Sequence, residues 1–103
     1  MRRSILLPLA FVVATAAAAV AADGAAVYKQ HCASCHGETG KADTPAGKAL
    51  KAPALAGDAT VAGMSDADLQ AKIEGNAKHQ SFVKKLSADD VSAVATYVKG
   101  LAQ

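Results

Sequence analysis

The chain contains no tryptophan, and its 103 residues hold only two tyrosines and two phenylalanines. So few aromatics make a thin core, and a domain of about 80 residues or fewer usually needs a further staple. A disulfide is a poor candidate. Cys32 and Cys35 are the only cysteines, and a bond between them would close a very short loop. Net charge is lacking as well. Arg2 and Arg3 are the only arginines, and without them nine lysines face nine acidic residues. The basic balance of the full chain is therefore no argument for nucleic-acid binding. No segment reads as a strand, no segment repeats, and nothing marks a second domain.

Residues 1–22 differ in kind from the rest. Arg2 and Arg3 form a basic start, Ile5 to Val20 is apolar, and small residues follow. This is the pattern of a secretory signal peptide, cleaved at Ala19-Val20-Ala21 or Val20-Ala21-Ala22. The alternative is an uncleaved anchor, which would bring the protein to a membrane. Pro8 and the weakly apolar alanine run argue against a stable span of about 20 residues. The expectation is a signal peptide over 1–22 and one exported, periplasmic domain over 23–103.

The most informative stretch is Cys32-Ala33-Ser34-Cys35-His36. C-x-x-C-H is the pattern of covalent haem c attachment. Two cysteines one helical turn apart share a face and can each bond a haem side chain, and His36 can then bind the iron. A zinc or thiol-redox C-x-x-C is the alternative. Export and the thin core favour haem, since a bound haem supplies the missing apolar body. His31, just before Cys32, reads as an exposed helix histidine or as part of an electron or proton path. Residues 37–58 lack periodicity and hold Pro45, Pro53 and four glycines. A loop that long usually covers something. A metal-bound histidine gives its second ring N–H to an oxygen acceptor, and the Pro53 carbonyl suits His36.

Ala25 to Ser34 has no helix breaker and is expected to be helical, with Val27 and Tyr28 as its large apolar residues. Two more helices announce their starts. Ser65 with Asp68, and Ser87 with Asp90, follow the capping-box spacing; Met64 with Leu69, and Leu86 with Val91, are placed as hydrophobic staples. The first of these helices carries Leu69 and Ile73 and stops near Gly75. The second carries Val91, Val94, Ala95, Val98 and Leu101 at helical spacing.

Together these features resemble a small class I c-type cytochrome of the bacterial monohaem kind. The landmarks are Gly24-Ala-Ala-Val-Tyr28, Cys32-Ala-Ser-Cys-His-Gly37, Ala52-Pro-Ala-Leu-Ala-Gly57, and Phe82-x-x-x-Leu86-Ser87 leading to Tyr97. The resemblance implies an all-α fold of three to four helices around one covalent haem c, with the first and last helices crossing. It implies Cys32 and Cys35 as haem attachments, His36 as iron ligand and Pro53 as its acceptor. The departure is at the second axial ligand. The family places a methionine where this chain has His79, in His79-Gln80-Ser81-Phe82. Met64 lies fifteen residues too early and reads as packing, while Met64 and Asn76 remain alternative ligands to His79.

The resemblance implies a carrier of single electrons that does no bond chemistry and meets its redox partners briefly. A His36/His79 pair should give a lower potential than His/Met ligation. Lys78, Lys84 and Lys85 flank the ligand loop, and Lys29, Lys48 and Lys51 could join them to steer an acidic partner. Asp66, Asp68, Asp89 and Asp90 sit at helix starts, where they favour the dipole. The second reading is a gas-binding or sensing haem module, which requires a displaceable sixth ligand. A peroxidase-like enzyme is disfavoured, because only His79 and Gln80 offer polar groups on the expected distal side.

Overall fold

In a computed structural model of the protein, residues 22–103 are described. The expected signal peptide lies outside the described residues except for Ala22. Asp23 starts the first helix, its carboxylate accepting from the N–H groups of Ala25 and Ala26 at 3.0 and 3.4 Å. Helix α1 runs Gly24–His31 and α2 runs Ala33–His36. The sequence suggested one helix here. The chain breaks step at Cys32, yet the Cys32 N–H still bonds the Tyr28 carbonyl at 2.8 Å, so the haem-motif turn follows directly from α1.

The long C-terminal helix, α7 after the elements named below, runs Ala88–Ala102. Ser87 and Asp90 exchange both capping-box bonds, each 3.0 Å. Its apolar face buries Val91, Val94, Ala95, Val98 and Ala102. Helix α1 crosses this face closely. A Cβ at Gly24 would stand 2.3 Å from the Ala93 carbonyl oxygen, so only glycine allows the approach. The Tyr28 and Tyr97 rings meet at 5.1 Å, tilted by 47°, a separation favourable for aromatic pairs.

Helix α3, Pro45–Ala49, and α4, Ala59–Gly63, are single turns in or beside the stretch expected to be irregular. Thr44 caps α3 and Asp58 caps α4. Helix α5, Asp66–Gly75, buries Leu69 against α7. Its cap is half of the expected box: the Ser65 hydroxyl accepts from the Asp68 N–H at 3.1 Å. A 3-10 turn, Ala77–His79, leads into the one-turn α6, Gln80–Val83. The fold is thus all-α. Helices α1, α5 and α7 form its frame, and the four shorter helices and the 3-10 turn wrap one side. The described residues contain no strand, and none of their helices is long and apolar enough to cross a membrane.

Candidate functional site

The wrapped side encloses a cavity of about 640 Å³ between the frame and the short turns. This lies within the range of about 300–1,000 Å³ typical of cofactor sites. Cys32, Cys35, His36, Pro53, Met64, Asn76 and His79 all line it. So do Leu55, Leu69, Ile73, Leu86, Val94 and Val98, which make it an apolar chamber with a few placed polar groups.

The wall carrying His36 is held by backbone contacts. Helix α3 lies directly on α2, because Gly47 presents no side chain: a Cβ there would sit 2.1 Å from the Cys35 carbonyl oxygen. The Thr44 hydroxyl donates to the Ser34 carbonyl at 2.6 Å and to the Cys35 carbonyl at 3.2 Å. Tyr28 donates its hydroxyl to the Gly37 carbonyl at 2.6 Å, from a buried position. The Ala42 N–H bonds the His36 carbonyl at 2.7 Å. The chain then returns so that Pro53 O lies 3.0 Å from His36 Nδ1. A carbonyl can only accept, so Nδ1 carries the proton and Nε2 is left with its lone pair. Burial lowers the His36 pKa, and the nearby His79 lowers it further against the opposing Pro53 bond. The ring is therefore neutral at neutral pH, the form that binds a metal.

The opposite wall repeats this arrangement. His79 Nδ1 lies 2.7 Å from the Ile73 carbonyl, which again leaves Nε2 as the free nitrogen. The turn around it is braced locally. Asn76 accepts from the Lys78 N–H at 2.9 Å, and Gln80 Nε2 donates to the Glu74 and Asn76 carbonyls at 2.8 and 3.0 Å. Phe82 packs between His79, at 5.2 Å, and His31, at 5.8 Å. His31 is thus partly buried in an aromatic stack.

The two imidazoles stand on opposite walls of the cavity with ring centres 6.4 Å apart and planes inclined by 67°. An imidazole nitrogen sits about 2 Å from a bound metal and about 1.1 Å from its own ring centre, so two rings on opposite sides of one ion have centres about 6.2 Å apart. The observed separation is close to this value, so the spacing leaves room for one metal ion between the rings. The cysteines are free and half-buried. Burial, with Cys35 adding to it, pushes the Cys32 thiol up to about 11, so this fold favours the protonated thiol.

Residues 19–98, well over half of the chain, match the family model described as "Cytochrome C oxidase, cbb3-type, subunit III". The chain belongs to this cytochrome c family. No curated protein and no solved structure matches it. The cytochrome c domain carries covalently bound haem c and serves haem-based electron transfer with redox partner proteins. Its attachment motif stands at Cys32, Cys35 and His36, on the cavity wall where an apolar plate would cover the exposed lining.

Several contributors to the site were not read from the sequence. Lys72 lines the cavity, and Ile73 supplies the acceptor for His79. Ile73 lies in the last turn of α5, where helix carbonyls lack helical partners, so that signal existed. Lys84 and Lys85 are exposed but do not line the cavity, whereas Lys51, Lys72 and Lys78 do.

Proposed function

We propose that this chain is an exported, periplasmic monohaem electron carrier in which His36 and His79 are the axial ligands. The supporting observation is the pair of imidazoles on opposite cavity walls, each with Nδ1 on a backbone carbonyl and centres 6.4 Å apart. Cys32 and Cys35 hold the haem, and Pro53 orients His36. When bound, the haem would supply one-electron iron redox chemistry. His36 and His79 would hold its iron, the apolar lining would exclude water, and hydrogen bonds to the Pro53 and Ile73 carbonyls fix both rings. Two imidazoles favour ferric iron more than a thioether does, so the potential lies below that of a His/Met cytochrome.

The bracing of the His79 turn supports a carrier over a gas sensor, which needs a sixth ligand that leaves easily. Met64 is half-buried against the core as well as lining the cavity, and its position before the Ser65 cap gives it a packing role. The family description names an oxidase subunit; in our reading this chain's own part is to pass electrons, with no bond chemistry of its own.

Two substitutions separate the ligands. Met64→Leu conserves volume and should cost below about 1.5 kcal/mol, with the low-spin spectrum and the potential nearly unchanged. His79→Met should raise the potential and add the weak red band of Met-ligated ferric haem. His79→Ala should leave the iron partly high-spin and quick to take carbon monoxide. If Met64→Leu abolishes a Met-type band while His79→Ala changes nothing, Met64 is the ligand and the proposal fails.

A further inference from the structure

The braced turn around His79 is rigid within itself, but its bonds to Ile73, Glu74 and Asn76 are all local. They do not tie it to the far side of the cavity. Two contacts do. One is the Phe82 stack on His31 of α1. The other is a hydrogen bond from Lys78 Nζ to the Leu50 carbonyl, spanning 28 positions of sequence.

The acceptor is presented by local chemistry. Helix α3 ends in a Schellman arrangement. The Ala52 N–H bonds the Gly47 carbonyl at 2.8 Å, and the Lys51 N–H bonds the Lys48 carbonyl at 3.4 Å. Lys51 takes the left-handed position at φ +55 that glycine usually occupies. This turns the chain sharply and leaves the Leu50 carbonyl at a helix C-terminus, where a cation is favoured. Leu50 itself is 48% exposed, so the bond lies at the cavity mouth. Three residues on, Pro53 holds His36.

We propose that Lys78 is a positioning residue: it straps the His79 turn to the Leu50 carbonyl across the cavity mouth and so holds His79 in place. The strap joins the neighbour of one imidazole to the segment that orients the other. The pairing is charge-assisted, and Lys78 has no carboxylate partner, since the one ion pair among the described residues is Lys99–Asp66. Without the strap the turn pivots on the end of α5, with Phe82 as its remaining tie across the cavity. The hold on His79 rests on its reading as an iron ligand; the strap itself does not.

The test uses the haem-loaded protein and two readouts. Amide exchange of residues 77–80 reports the strap whatever binds the iron. Carbon monoxide association with the ferrous protein reports the fraction of molecules with His79 displaced. Lys78→Met should speed the exchange and raise the association rate about tenfold, an effect of about 1.4 kcal/mol. Lys78→Arg, which keeps charge and donors, should restore both. Lys72→Gln removes another charge at the cavity mouth but leaves the strap's donor and acceptor in place, and should change neither. Unchanged exchange in Lys78→Met overturns the strap, as does an equal effect from Lys72→Gln. Faster exchange with unaltered carbon monoxide binding overturns its hold on His79, provided His79→Ala binds the gas faster than the wild type. If His79→Ala does not, the ligand reading has failed instead, and the exchange result still decides the strap.

Discussion

Tyr28 is 2% exposed, and its hydroxyl donates to the Gly37 carbonyl just after the haem motif. Burial, with smaller contributions from Cys32, Tyr97 and Asp43, raises its pKa to about 12. The neutral phenol is thus the form the fold favours. Its contribution is complete below the ordinary tyrosine pKa, near 10, and is lost as pH rises towards 12. Tyr28→Phe keeps the ring and leaves the Gly37 carbonyl without its donor, so stability at neutral pH should fall by about 1–3 kcal/mol. The deficit should shrink between pH 10 and 12, as the wild type loses what the variant lacks. Denaturant titrations of both proteins across this window check it. A deficit that stays constant up to pH 12 would mean that the phenol titrates no differently in the fold.

At the scale of elements, two glycines give opposite predictions. Gly47 holds α3 against α2, and a Cβ there meets the Cys35 carbonyl oxygen at 2.1 Å and Thr44 Oγ1 at 3.0 Å. Gly47→Ala should cost about 1–3 kcal/mol, since backbone must move, and should disturb the path from α3 to Pro53. Gly100 lies within α7, and a Cβ there meets nothing within 4 Å. Gly100→Ala should stabilise by about 0.5–1 kcal/mol through a less flexible unfolded chain. Thermal melts of the two variants check both signs.

The same elements show what was legible beforehand. Ser65 and Ser87 announced α5 and α7, because a capping hydroxyl three residues before an acid is a local signal. The C-x-x-C-H turn was legible for the same reason, and His79 was singled out by its place in the family's order. Helices α3, α4 and α6 were not, because one turn is too short to show periodicity. The Lys78 strap was also hidden: it uses a backbone carbonyl, which every residue has, and only the folded chain brings Leu50 beside Lys78. The Ile73 acceptor left a weaker trace, since carbonyls in the last turn of a helix lack helical partners.

At the scale of the molecule, the cavity of about 640 Å³ is large beside the eight buried core side chains of the described residues. The haem therefore completes the interior, and a double Cys32→Ser, Cys35→Ser variant should lose haem on acid-acetone extraction and unfold at lower denaturant than the wild type. Lys51, Lys72 and Lys78 surround the cavity mouth with exposed Leu50 among them. If acidic partners dock there, electron-transfer rates should fall with rising salt, as screening shortens to about 8 Å near physiological ionic strength. Changing Lys51 and Lys72 to Gln should flatten that dependence more than changing Lys84 and Lys85. An equal effect of the two pairs would place the docking face elsewhere.

The central claim is that His36 and His79 share one haem iron. The most direct measurement is a visible and near-infrared spectrum of the ferric wild-type protein at neutral pH. Two imidazoles predict a fully low-spin spectrum without the weak red band of Met-ligated haem. A high-spin spectrum, or the presence of that band, would contradict the account.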